Sequence, residues 1–213
     1  MSPPTDPQIL SSVERYYAER LARFGATPRG VDWSSGESQA LRFDQLLKIV
    51  EPHGDGPPPR LLDVGCGYGA LLAHMRARGL TLGYVGYDIS PSMVAAARAA
   101  HAADPGASFT DDPGAVEPVD YVVSSGIFNV KLHHGDYEWC AYVDEVLARM
   151  HGWARRGLAF NLLSSYSDPE RRRPDLHYED PRVRFDACKR RFSPRVSLLH
   201  DYPLFEFTIL VRM

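Results

Sequence analysis

The chain has 213 residues, of which 44% are hydrophobic and 24% charged, with a formal net charge of −3. These values suit one folded domain and exclude a disordered tract or a general electrostatic pull towards nucleic acid or an acidic membrane. No apolar run reaches the roughly 18 residues that cross a bilayer.

MSPPTDPQIL at the start lacks a basic region followed by an apolar one, so no secretory signal is expected. Cys66, Cys140 and Cys188 show no CxxC or Cys/His ligand spacing. They read as reduced thiols in a cytoplasmic protein, and no metal site is expected. The first helix is expected over 11–24. There Ser11 and Glu14 have capping-box spacing, and Val13, Tyr16, Tyr17, Leu21 and Phe24 share a face. A second is expected over 37–50, with a stiff connector at 53–59. Residues 1–59 therefore read as an appendage on a unit spanning 60–213.

From residue 60 short apolar runs alternate with helical segments. RLLDV (60–64), LGYVGYD (82–88), ASFT (107–110), DYVVSS (120–125) and GLAFNLL (157–163) are expected strands. Helices are expected near 70–78, after Ser90-Pro91, and through Trp139, Tyr142, Val143, Val146, Leu147 and Met150. Such alternation predicts right-handed crossovers and a parallel sheet covered on both faces, an α/β fold. RVSLLH (195–200) and LFEFTILVR (204–212) are separated by too short a turn for a crossover and must pair antiparallel.

The informative segment is LLDVGCGYGALL, 61–72. A strand delivers Asp63. Gly65, Cys66, Gly67, Tyr68 and Gly69 then make a sharp turn, and a helix opens at Ala70. Glycine is needed where backbone approaches a ligand, and a helix start offers free N–H groups to a polar one. Asp88 follows at the end of the next strand, where a carboxylate can accept both hydroxyls of a ribose. Dinucleotide-binding enzymes space this loop GxGxxG. Here it is GxGxG, with an acid two residues before the first glycine.

In these features the chain resembles the class I S-adenosylmethionine-dependent methyltransferases over about residues 60–212. The resemblance implies a Rossmann-like, doubly wound, seven-stranded sheet, mostly parallel with an antiparallel last strand, helices on both faces and an N-terminal helical lid. It implies S-adenosyl-L-methionine as cofactor and S-adenosyl-L-homocysteine as product. By position, Gly65 and Gly67 would line the methionine part, Asp63 would hold its amino group, and Asp88 the ribose. Ile89 and Met93 would pack on the adenine, whose amino group would meet Asp111 or Asp112, with Asp111 favoured. Ser125 and Gly126 would offer backbone contacts to the sulfonium ligand. In the lid, Trp33 would shield the site and Arg42 would pair with the cofactor carboxylate. Tyr16 and Tyr17 read equally as shields or as core.

Phe128 or Asn129 could face the acceptor, and His133 or His134 could serve as a general base. The alternative for the histidines is an exposed loop pair. Arg171, Arg172 and Arg173, in a long loop after the fifth strand, are candidates to recognise a carboxylate or phosphate on the acceptor. The expected activity is direct SN2 methyl transfer to an oxygen or nitrogen of a small molecule. A non-catalytic cofactor-binding module, a protein or RNA methyltransferase and a nicotinamide-dependent oxidoreductase are the competing readings.

Overall fold

The computed structural model describes residues 6–33, 35–52, 54 and 56–213, so the connector read at 53–59 lies partly outside the described residues. Helices α1 (Pro7–Phe24) and α2 (Gly36–Leu47), joined through a 3-10 turn at Pro28–Val31, precede the sheet. There follow β1 (Arg60–Val64), α3 (Ala70–Ala77), β2 (Gly83–Tyr87), α4 (Pro91–Ala100), β3 (Ala107–Thr110) and β4 (Val119–Ser124). Next come α5 (Asp136–Trp153) and β5 (Ala154–Ser164). The last elements are β6 (Tyr178–Glu179), α6 (Pro181–Arg191), β7 (Arg195–Leu199) and β8 (Glu206–Arg212).

The spatial order is β3-β2-β1-β4-β5-β8-β7. The first five strands are parallel, while β8 runs antiparallel to both β5 and β7 and lies one place in from the edge. The sheet has eight strands among the described residues rather than the seven expected. The additional one, β6, is two residues long and pairs with Leu163–Ser164 at the end of β5, too short to leave an alternating pattern.

Helix starts differ from expectation for local reasons. α1 begins at Pro7 because the Asp6 carboxylate accepts the Gln8 N–H and proline suits the first turn. Ser11 is therefore inside the helix and not its cap. α6 was unexpected, since PRVRFDACKRR carries too few apolar residues to mark a helical stripe.

Alternate residues of the central strands face opposite ways into two cores. Leu62, Val122, Leu158 and Phe160 join Trp139, Val143 and Leu147 of α5 on one face. Leu61, Tyr121, Val123 and Ala159 join Leu71, Leu72 and Met75 of α3 on the other. The segment before the sheet straddles both. Ile9 and Val13 of α1 enter the first core, whereas Phe43 and Leu46 of α2 enter the second. The turn between them is tied back to α1 by Asp32, which accepts from the Tyr16 hydroxyl at 2.8 Å and pairs with Arg20 at 2.8 Å. No helix among the described residues is long and apolar enough to cross a membrane.

Ile9 is 1% exposed, so Ile9→Ala should cost about 2–5 kcal/mol and loosen α1 from the sheet. Urea unfolding would measure it; a midpoint equal to wild type would mean that α1 is not docked through this residue.

Candidate functional site

A cleft of about 1090 Å³ of empty space, its open mouth included, lies at the carboxyl ends of β1, β2 and β4. Its floor is the turn after β1. The N–H groups of Gly65 and Cys66 both donate to the Tyr87 carbonyl at the end of β2, at 2.8 and 3.1 Å. Gly65 has φ +76°, and a Cβ there would stand 2.1 Å from Ile127 Cγ2, so only glycine fits. The next link is Asp88. Its Oδ2 accepts the Gly67 N–H at 2.8 Å and its Oδ1 the Ser90 N–H at 2.9 Å, pinning the glycine turn to the start of α4.

Asp63 and Asp88 are both buried at this floor. Burial pushes the Asp63 carboxyl up to about 7, against the pull of the Tyr84 hydroxyl that donates to it at 2.7 Å. Burial likewise raises Asp88 to about 6, moderated by the Ser90 and Gly67 N–H groups. The Cys66 thiol is driven well up by burial and by the two carboxylates, which leaves it inert.

The wall opposite the glycine turn is the loop after β4. Ser125 and Gly126 line the cleft, and the Ser125 hydroxyl is buried with no hydrogen-bond partner among the described residues. Gly126, at φ +80°, lies against Trp33, whose ring atom Cζ2 would be 2.3 Å from a Cβ placed there. Leu10, Val13 and Tyr17 of α1 form the roof, and Tyr142 and Val146 of α5 close one side.

Of the residues expected to hold a cofactor, Trp33, Asp63, Gly65, Cys66, Gly67, Asp88, Ile89, Met93, Ser125 and Gly126 line this cleft. The others lie elsewhere. Arg42 does not reach it: Glu206 of β8 takes its Nε and Nη2 at 2.7 and 2.6 Å, so no cofactor carboxylate is needed as its partner. Asp111 and Asp112 are exposed outside the cleft, and the Asp112 carboxylate instead caps the 3-10 turn at Pro113–Ala115 through the Gly114 N–H.

The residues expected near the reacting atoms are also structural. Asn129 is a buried brace whose Oδ1 accepts the Leu163 N–H at 3.2 Å. His134 is buried with Nε2 2.7 Å from Ser12 Oγ, clamping the loop to α1, and exposed His133 stacks on it at 4.5 Å. Neither histidine lines the cleft. The arginines of the long loop also lie outside it. Arg172 donates to the Ser165 and Ser167 carbonyls, Arg173 pairs with Asp175, and Arg171 is exposed over Phe205.

Sequence reasoning missed Gln39, Phe43 and Arg149 as lining residues, and read Tyr142 and Val146 only as a helical stripe. The signal for that pair was present. They stand at i and i+4, on one face of α5, and both line the cleft.

Comparison with known proteins agrees with this geometry. A family model described as a methyltransferase domain matches residues 62–157. Rv1506c of Mycobacterium tuberculosis, provisionally named a methyltransferase, is 50% identical over 155 residues, spanning 73% of this chain and 93% of that protein. Among solved structures, magnesium protoporphyrin IX methyltransferase from Synechocystis PCC 6803, with bound S-adenosylhomocysteine, superposes with a TM-score of 0.65 at 15% identity. The match covers 95% of this chain and 98% of that one. Human N-acetylserotonin methyltransferase in complex with S-adenosylmethionine gives 0.63 at 18% identity, covering 99% and 60%. A glycine turn stapled to a buried Asp88, a mostly parallel sheet in this strand order and half-identity to a relative so named lead to one assignment: the chain belongs to the class I S-adenosylmethionine-dependent methyltransferases.

Proposed function

We propose that this methyltransferase holds S-adenosylmethionine on the floor of the cleft and transfers the methyl group to an oxygen or nitrogen of a small acceptor. The observation that carries the reading is the roof. Leu10, Val13 and Tyr17 of α1 line the cleft together with Val31, which packs on Gly67, and Trp33, which packs on Gly126, and this cover suits a small acceptor better than a macromolecular surface.

The residues fit the cofactor. Each Asp88 oxygen uses one lone pair on a backbone N–H and keeps another for a ribose hydroxyl. Asp63 offers an anionic acceptor to the amino group, and the orphaned Ser125 hydroxyl supplies a further polar contact. Ile89, Met93 and Tyr142 present apolar surface for the adenine. When bound, S-adenosylmethionine supplies a methyl group already activated on a sulfonium.

What the chain itself contributes is alignment and exclusion of water. Trp33, Tyr17 and Leu10 shield the transfer end, and α1, the 3-10 turn and α2 serve as the lid over a unit that starts at β1. No histidine is among the described residues lining the cleft. Asn129, His133 and His134 lie outside the cleft lining and are assigned no part in the chemistry. Arg171, Arg172 and Arg173 are not used to anchor an anionic acceptor.

Asp88→Ala should weaken S-adenosylhomocysteine binding about 10- to 100-fold in calorimetry, as loss of hydrogen bonds to a charged group predicts. Wild-type protein that takes up neither cofactor nor product, or binds without transferring methyl to any small acceptor in a broad panel, would overturn the reading. Binding should also depend on pH. A bound ammonium stabilises ionised Asp63, so the complex carries fewer protons than the free protein and affinity rises as pH climbs through about 7. Asp63→Asn should abolish that upper step and leave a lower one near the Asp88 value of about 6. Titrations from pH 5 to 8 test this; wild-type affinity that does not change with pH contradicts it.

A further inference from the structure

Behind the cleft wall runs a chain of buried polar contacts that cofactor binding does not itself require. Arg42 of α2 and Glu206 of β8 form a two-pronged ion pair, and they are 7% and 1% exposed. Glu206 Oε2 also accepts the side-chain N–H of Asn161 of β5 at 3.2 Å. Asn161, fully buried, accepts the Gly126 N–H on Oδ1 at 2.8 Å. Trp33 closes the circuit, lying 4.0 Å over the Arg42 guanidinium and directly against Gly126.

Donor and acceptor chemistry fixes the direction of this chain. Arginine only donates, so it holds Glu206 as an acceptor-only carboxylate. A carboxylate must face the amide nitrogen of Asn161, which leaves the amide oxygen turned towards Gly126. The Ser125–Gly126 peptide is trans, since the described residues contain no cis bond. Its carbonyl therefore points opposite to its N–H. Asn161 is not among the cleft-lining residues and Ser125 is, so the N–H is held behind the wall and the Ser125 carbonyl is turned into the cleft.

We propose that Asn161, oriented by the buried Arg42–Glu206 pair, is a positioning residue that aims the Ser125 carbonyl at the amino-acid end of the cofactor. The idea rests on the placement of S-adenosylmethionine proposed above. It ties the lid to ligand recognition, because α2 supplies the arginine and Trp33 seals the contact. Asn161 touches no ligand, so its effect should be confined to the part of the ligand that the carbonyl meets.

Calorimetry with two probes separates these effects. S-adenosylhomocysteine carries the amino-acid chain, and 5′-methylthioadenosine keeps the nucleoside but lacks that chain. Asn161→Leu should weaken S-adenosylhomocysteine about 10-fold or more, while methylthioadenosine binding stays within about 2-fold of wild type. The double variant Arg42→Met/Glu206→Met removes the pair without stranding a buried charge. It should show the same selective loss, and it carries the test if Asn161→Leu does not fold. Equal weakening of both probes, or no change in either, would overturn the positioning role while leaving the cleft assignment standing. Failure of wild-type protein to bind either probe would overturn both.

Discussion

The Asp88 carboxylate is the constraint on which the cleft depends. It sits at the end of β2, is 9% exposed, and accepts one N–H from the glycine turn and one from the first turn of α4. Burying a carboxylate is costly, as the upward shift to about 6 shows. Two amide donors hold the ionised form in place, and Gly65 and Cys66 donate to the neighbouring Tyr87 carbonyl. Four backbone N–H groups thus converge on the last residue of β2 and the one after it. The floor of the cleft is consequently set by the β1–β2 register, in which Val64 pairs with Tyr87.

A second constraint comes from the segment before the sheet. It does not rest on one face but crosses from the α5 side to the α3 side, passing over the strand ends. At its second helix the apolar anchors Phe43 and Leu46 are joined by an ionic one, the pair between Arg42 and Glu206. A buried pair of this kind adds little stability over well-packed apolar residues, though removing one partner alone is severe. What it adds is direction. An apolar contact would hold α2 equally well but could not specify which way a neighbouring amide faces.

Much of the frame was legible in the sequence. RLLDV and ASFT are strands over the very residues expected, because short β-rich runs bounded by turn residues have few alternatives. The glycine turn and Asp88 were legible for a similar reason: their contacts are made within one strand–turn–helix–strand unit. Arg42 and His134, both misread, share the opposite property. Arg42 meets a partner 164 positions away, and His134 meets Ser12 122 positions away. No local pattern distinguishes a histidine that clamps a helix from one that takes a proton. Nor does local sequence show that an arginine expected at a ligand is already neutralised by a distant strand.

The electrostatics of the floor narrow what kind of ligand belongs there. Asp63 and Asp88 lie within electrostatic reach of one another, and each raises the cost of ionising its surroundings. The donors bonded to them are a phenol and two amides, which orient a negative charge without cancelling it. A neutral nucleotide would leave that charge uncompensated in a cleft whose roof is apolar. A ligand carrying a sulfonium and an ammonium would compensate it, and each positive centre would in turn hold the carboxylates ionised.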